Sequence, residues 1–181
     1  MKFYSRRKDV VFCFEQGECC KSIESKVAVR TEIIPVKKLK GRISKKVNQL
    51  QGKWAATYLK LRYGSPETFV LLAWIGDQLV HIEWIVPARV MKSRYPFLPK
   101  KSWAIISCFT TPEFRGNHIY PSQLQKVVNS NIKGTFFIWV SEKNSASIKG
   151  IRRAGAKQAG RLLQIKYVIG LFSKIRYESD V

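Results

Sequence analysis

The sequence lacks any long uninterrupted run of apolar residues. Lys, Arg, Asp or Gln interrupts each apolar run well before the roughly 18 to 20 residues that a membrane-spanning helix needs. The basic N-terminus precedes only a short apolar stretch, which contains Asp9 and Glu15 and has no small-residue cleavage site after it. These absences exclude a transmembrane helix and argue against an export signal, so we expect a soluble cytoplasmic protein.

Cysteine and histidine are also scarce. The chain has four cysteines and two histidines, and no C-x-x-C pair of the kind that holds structural zinc. These residues are Cys13, Cys19, Cys20, Cys108, His81 and His118. Because their spacing matches none of the usual zinc frameworks, we expect no metal site, and we expect the cysteines to be reduced thiols.

The chain has few acidic residues and many basic ones. The 33 Lys and Arg residues outnumber the 12 Asp and Glu residues, and the formal net charge is +21. The excess is uneven, since residues 61–120 hold only 7 basic against 4 acidic residues. Such a charge favours an anionic partner. Nucleic acid, a phosphorylated, nucleotide-linked or anionic-glycan substrate, and an acidic membrane surface all fit it.

The N-terminal part of the chain is predicted to contain two strands and one helix. Residues 10–15 and 27–34 are rich in β-branched and aromatic residues, which is typical of strands. A three-to-four-residue spacing of apolar side chains predicts one helix over residues 44–61. The apolar face of that helix comprises Ile43, Val47, Leu50, Trp54, Tyr58 and Leu61. Its opposite face is basic and is either a solvated surface or an anion-binding one.

From residue 68 onward, strands and helices alternate. The pattern predicts strands at 68–76, 78–86, 102–110, 135–141, 161–170 and 171–177, and helices at 120–129 and 145–153. This order predicts a mixed α/β (α+β) sheet with helices on both faces. The length of 181 residues favours one domain over 1–181, with a divergent part at 1–63 and a core at 68–170. All five tryptophans lie in apolar runs and are expected in the core.

The segment CFTTPEFRGNHIYPSQLQ predicts a phosphate-binding loop. A strand ends, a turn with Gly116 follows, and a helix begins, so backbone N–H groups converge where the helix dipole is positive. Gly116 would allow close approach of an anion, Arg115 would fix the turn or face the anion, and the amides of Asn117 to Tyr120 would donate hydrogen bonds. We therefore expect a pyrophosphate site here.

Two stretches resemble a known family. TTPEFRGNHIYPSQL is similar to motif A of the GNAT superfamily of acyl-CoA-dependent N-acyltransferases, and WVSEKNSASIKGIRRAGA resembles the strand and helix that follow that motif. His118 and Tyr120 stand where the family signature has glycine or alanine. Ile151 stands where many members have a Tyr that acts as the general acid and protonates the leaving thiolate. The resemblance implies a centrally splayed sheet and an acyl-CoA site. The implied site residues are Phe109, Thr110, Arg115, Gly116, Asn117, His118, Ile119, Tyr120, Asn144 and Ser147.

The resemblance also implies a reaction. An amine would attack the thioester of acetyl-CoA or another acyl-CoA, without a covalent enzyme intermediate, so Cys108 is expected to be an inert buried thiol. His81 and Glu83 are candidates for the general base, because residues two apart on a strand share a face. Each has an alternative role, as a hydrogen-bonded core histidine or as an ion-pair partner. Either Tyr120, Ser147 or water replaces the acid that is missing at Ile151, or the thiolate leaves unassisted.

Three functions remain open at the level of the sequence. The first is an N-acyltransferase for a small or glycan-linked amine, such as an amino sugar or another anionic or nucleotide-linked acceptor. The second is an acyltransferase for a macromolecule, such as a ribosomal protein or aminoacyl-tRNA, for which the positive charge would assist docking. The third is a non-enzymatic module of the same fold that binds nucleic acid or membrane anions. Nucleic acid is the less favoured partner, and a homodimer is compatible with the sequence.

Overall fold

A computed structural model of the protein describes residues 4–16, 22–167 and 173–180. The strands are β1 (Tyr4–Phe14), β2 (Arg30–Pro35), β3 (Phe69–Ile75), β4 (Gln78–Pro87), β5 (Ser102–Thr110), β6 (Thr135–Ser141), β7 (Lys157–Tyr167) and β8 (Ser173–Ser179). The helices are α1 (Gly41–Gln51), α2 (Ala55–Tyr63), α3 (Ala88–Met91), α4 (Ile119–Val128) and α5 (Ser145–Arg153). Two 3-10 turns cover Val36–Lys38 and Pro112–Phe114.

The eight strands form one sheet in the order β2-β3-β4-β5-β6-β1-β7-β8. Among the described strand pairs, β5 and β6 run parallel and the others run antiparallel. Helix α4 connects β5 to β6, as a parallel pair requires a crossover. The β3–β4 hairpin turns at Gly76 and Asp77, which confirms the predicted hairpin.

Helices cover both faces of the sheet, as predicted. Neighbouring residues of β3 point to opposite sides, so Leu72 packs in one core with α1 and α2, while Leu71 packs in the other core with α4 and α5. All-round burial of β3 and β4 explains why their sequences are nearly continuous apolar runs. No helix in the described part of the chain is long and apolar enough to cross a membrane.

The single helix predicted over residues 44–61 is wrong. Gly52 has a φ of +116° and ends α1, and the chain restarts as α2 after Trp54. The break rotates the second half, so α2 buries Ala56 and Leu59. The prediction that all tryptophans are in the core fails at the same place, because Trp54 is 68% exposed.

Two further expectations concern residues outside the described ranges. The predicted strands at 161–170 and 171–177 correspond to β7 and β8, but residues 168–172 fall in a gap between those ranges. Cys19 and Cys20 also lie outside the described residues, and Cys13 and Cys108 form no disulfide in the part of the chain that the structure describes.

Candidate active site

Strands β5 and β6 separate soon after they start. Their pairing covers only Ser102 to Ala104 on β5, opposite Thr135 to Phe137 on β6. Farther along β5 the register with β4 shifts, and Ser107 has a φ of +52°. This irregularity is a β-bulge. The side-chain amide of Gln51, at the end of α1, donates to the Ser107 carbonyl at 2.5 Å and stabilises the bulge. The last residues of β5 therefore have an edge that β6 does not pair, which is the central splay that the resemblance implies.

The loop after β5 leaves backbone donors free. Gly116 has a φ of +81°, and the N–H groups of Gly116, Asn117 and His118 donate to no acceptor among the described residues. Helix α4 begins at Ile119, so its first N–H groups have no intrahelical partner. Free amides at a helix N-terminus form an anion site. Arg115 donates from Nε to the Thr110 carbonyl at 3.2 Å, so its side chain fixes the turn.

A cavity of about 780 Å³ lies between this loop, β5 and α5. All the predicted acyl-CoA residues except Asn117 line it. The Asn117 side chain donates to the Phe114 carbonyl at 3.2 Å, and its own carbonyl accepts from the Lys26 amide at 2.9 Å. Asn117 thus shapes the loop from outside the cavity.

Seven further residues line the cavity beside the acyl-CoA residues that the resemblance implies. They are Cys108, Phe114, Pro121, Ala146, Lys149, Gly150 and Arg153. Gly150 is the informative one, because a Cβ there would lie 2.8 Å from Cδ1 of Tyr120. The only sequence signal for this contact is a glycine inside a helix, which is unfavourable unless close packing requires it.

His118 does not close the cavity. It caps α4 in the left-handed conformation, with a φ of +58°, in which glycine is the usual residue. Its Nε2 lies 2.7 Å from a guanidinium nitrogen of Arg153 on α5, which donates to it. Desolvation, Arg153 and Lys26 lower the pKa of the imidazole, so the neutral form that accepts this bond is favoured. The cavity remains open beside the ring.

His81 and Glu83 form a buried pair on β4, behind the cavity wall. Both are fully buried, and Nε2 of His81 lies 2.9 Å from Oε1 of Glu83. Nδ1 of His81 lies 2.7 Å from the hydroxyl of Thr110, which does line the cavity. Burial raises the pKa of Glu83, and the bond from His81 opposes that rise. Oε2 of Glu83 has no partner within the described ranges. Thr110 therefore connects the cavity to the pair.

Tyr120 and Cys108 occupy the cavity wall together. Burial raises the pKa of Tyr120 well above its usual value, and Cys108 and Glu83 raise it further. Burial also raises the pKa of Cys108, and Glu83 adds to the rise, although a hydrogen bond from Tyr120 opposes it. Both groups are protonated at neutral pH, which agrees with an inert Cys108 thiol. Ile151 is fully buried in the core and offers no acid.

Asn144 and Ser147 lie where α5 begins. The Asn144 side chain accepts from the Ser147 amide at 3.1 Å, so Asn144 is the N-cap of α5. Both residues line the cavity, and Lys149 and Arg153 follow on the same helix. The capping role alone explains an asparagine at this position, and its place at the cavity adds a second reason.

Solved structures resemble this fold, although no protein-family model and no curated protein matches the sequence. A GNAT-family acetyltransferase from Colwellia psychrerythraea aligns with a TM-score of 0.61 and 15% identity over 91% of this chain and 57% of its own. A GCN5-related N-acetyltransferase from Sphaerobacter thermophilus aligns with a TM-score of 0.61 and 15% identity over 91% of this chain and 53% of its own.

The protein is therefore a GNAT-fold protein. The mixed sheet flanked by helices is the architecture that these structures share with the chain. The chain spans only a little more than half the length of these two structures, and identities of this size show the fold alone.

Proposed function

We propose that the protein is an N-acyltransferase that transfers an acetyl or other acyl group from acyl-CoA to an amine. The observation that carries the proposal is the cavity at the parting of β5 and β6, directly beside the free amides of Gly116 to His118. A pyrophosphate needs such donors, and an extended pantetheine arm needs an unpaired strand edge. Phe109 and Thr110 supply that edge.

The basic residues of α5 support binding of the nucleotide end. Lys149 and Arg153 both line the cavity, and within the described ranges no acidic residue does. A cationic wall favours the phosphates of a nucleotide by charge-assisted hydrogen bonds. The same excess of charge supports an anionic acceptor, such as an amino sugar or a nucleotide-linked amine.

The chemistry assigned to the site is direct transfer. The amine lone pair attacks the thioester carbon, the C–N bond forms, the C–S bond breaks, and the amine loses a proton while the thiolate gains one. The Thr110 hydroxyl reaches the cavity and contacts Nδ1 of His81. In the proposed route, the amine proton passes through Thr110 to His81, and Glu83 orients and stabilises the imidazole from its other side.

Tyr120 is the proposed proton donor to the leaving thiolate. It lines the cavity, and its raised pKa keeps the phenol protonated at neutral pH. Its ring centroid lies 5.9 Å from that of His81, so the proposed proton donor lies close to the proposed proton acceptor. In this proposal, Tyr120 takes the role of the tyrosine that many family members have at the position of Ile151.

Calorimetry with acetyl-CoA tests the proposal at Gly116. Gly116→Asp places a carboxylate at the free amides, and we expect at least a tenfold loss of affinity, which is about 1.4 kcal/mol. Gly116→Asn is the matched control, because it has the same size and the same backbone strain at a φ of +81°. If the parent protein bound no acyl-CoA, the proposal would fail and the non-enzymatic alternative would replace it.

A further inference from the structure

One face of α2 is apolar and exposed. Trp54, Tyr58 and Leu61 are 68%, 54% and 84% exposed, and they are the large apolar side chains with this exposure among the residues that the structure describes. Trp54 is the N-cap residue of α2, and its carbonyl accepts from the Tyr58 amide at 2.9 Å, so the spacing of four and three residues places the three side chains on one side of the helix. Ala56 and Leu59 face the core instead. We call Trp54, Tyr58 and Leu61 the α2 apolar face.

The segment of sequence that contains this face carries charge of one sign. Residues 33–66 contain nine basic residues and no acidic one. The basic residues are Lys37, Lys38, Lys40, Arg42, Lys45, Lys46, Lys53, Lys60 and Arg62. The carboxylates that border the segment have cationic partners outside it: Glu32 pairs with Arg30, and Glu67 lies 2.8 Å from Arg89. Within the segment, Arg42 lies 3.9 Å from Asp77.

We propose that the α2 apolar face docks the protein on the surface of an anionic lipid bilayer. Apolar side chains on a helix that lies in the membrane plane enter the boundary between headgroups and acyl chains, and neighbouring Lys and Arg contact the lipid phosphates. The α2 apolar face and its cations have this composition. The proposal stands independently of acyl transfer, since it uses no residue of the cavity.

The contacts of the aromatic rings favour lipid over nucleic acid. The ammonium of Lys53 lies 5.9 Å from the Trp54 ring centre, and the guanidinium of Arg62 lies 5.7 Å from that of Tyr58. These cations cover ring surface on which a base would stack. Leu61, the most exposed of the three, has no aromatic surface and gains only from an apolar environment.

Docking through α2 leaves the cavity open. Helices α1 and α2 pack in the core on one side of the sheet, whereas α4 and α5, which line the cavity, pack in the core on the other. A protein held at α2 can therefore still exchange ligands at the cavity.

Vesicle binding tests the proposal. The intact protein is titrated with vesicles of phosphatidylcholine alone and of phosphatidylcholine mixed with phosphatidylglycerol, and bound protein is measured by co-sedimentation. We expect binding to the mixed vesicles, with a blue shift of tryptophan emission that Trp54→Phe removes while binding persists. Trp54→Ser combined with Leu61→Ser should weaken binding at least tenfold, because two apolar anchors are lost.

Charge variants distinguish binding through the segment around α2 from binding through the positive charge of the whole protein. Lys45→Ser with Lys53→Ser should weaken binding by about fivefold for each charge. Lys100→Ser with Lys101→Ser is the matched control, because it removes the same charge outside residues 33–66 and should change binding less. Circular dichroism melting of each variant shows that it is folded.

Several outcomes would overturn the proposal. One is the absence of binding to the mixed vesicles, and another is equal binding by the Trp54→Ser, Leu61→Ser variant, which would leave only diffuse charge attraction. Binding of tRNA that these substitutions abolish, without vesicle binding, would assign the face to nucleic acid. Light scattering that shows a dimer broken by the same substitutions would assign it to a second copy of the chain.

Discussion

At the scale of single residues, Glu83 couples the site to pH. Its carboxyl is fully buried, and burial raises its pKa above the ordinary value of 4.5. A carboxyl whose pKa is raised on folding contributes stability that is complete below the unfolded pKa and is lost as the pH rises through the folded pKa. Glutamine has the same shape but does not ionise, so it loses no stability over that pH range.

We therefore expect Glu83→Gln to gain stability relative to the parent as the pH rises from below 4.5 into the neutral range. The measurement is the free energy of unfolding in urea at a series of pH values, for both proteins. The difference between the two should be smallest at the acidic end. A difference that does not change with pH would show that His81 fully compensates the buried carboxylate.

Thr110 is the residue through which the cavity reaches His81. Thr110→Val keeps the shape of the side chain but removes the hydroxyl that contacts Nδ1. If the hydroxyl carries the amine proton, the rate of acetyl transfer should fall roughly 10²-fold, the usual contribution of a positioned acid–base group. The rate is followed as thiol release from acetyl-CoA in the presence of an amino sugar.

Thr110→Ser is the control for this prediction, because it restores the hydroxyl without the methyl group. We expect it to recover most of the rate and the pH dependence of the parent. Equal rates and equal pH profiles for the valine and serine variants would remove Thr110 from the proton route.

At the scale of elements, a close contact between α4 and α5 shapes the cavity. Gly150 on α5 lies against the Tyr120 ring on α4, and a Cβ would come within 2.8 Å of it. Helix propensity alone predicts that alanine at an interior helix position stabilises by about 1 kcal/mol relative to glycine. Overpacking predicts the opposite, a loss of about 1–3 kcal/mol.

We expect the clash to dominate, so that Gly150→Ala lowers the free energy of unfolding. In a Tyr120→Ala background the ring is absent, and the same substitution should become neutral or stabilising. The double-mutant cycle isolates the contact between the two helices. Stabilisation by Gly150→Ala in the parent background would show that the helices separate at little cost.

At the scale of the whole molecule, the charge of +21 opposes the compact state. Like charges that are brought together on folding repel each other, and salt screens them, with a Debye length of about 10 Å at 0.1 M. We expect the melting temperature to rise between low salt and about 0.2 M sodium chloride. The variant with Lys45→Ser and Lys53→Ser should show a smaller rise, and a salt-independent melting temperature would contradict this account.

The periodicity of the chain was enough to predict the β3–β4 hairpin, β5, α4, β6 and α5. These elements bury long apolar runs or clear helical stripes, so local sequence and tertiary packing demand the same conformation. The turn at Gly116 between β5 and α4 was also predicted, and Gly116 adopts a φ of +81° there. The break at Gly52 was missed because the three-to-four-residue spacing continues across it in the sequence.

Local patterns thus specify the elements of this protein and the loop that is proposed to hold a phosphate. The contacts that define the site depend on residues distant in sequence: His81 with Thr110, Tyr120 with Gly150, and His118 with Arg153. Which helix face is buried likewise depends on packing against the sheet, as α2 shows by exposing Trp54 and Leu61. Periodicity records spacing along one element, whereas these features arise from the register and crossing of separate elements.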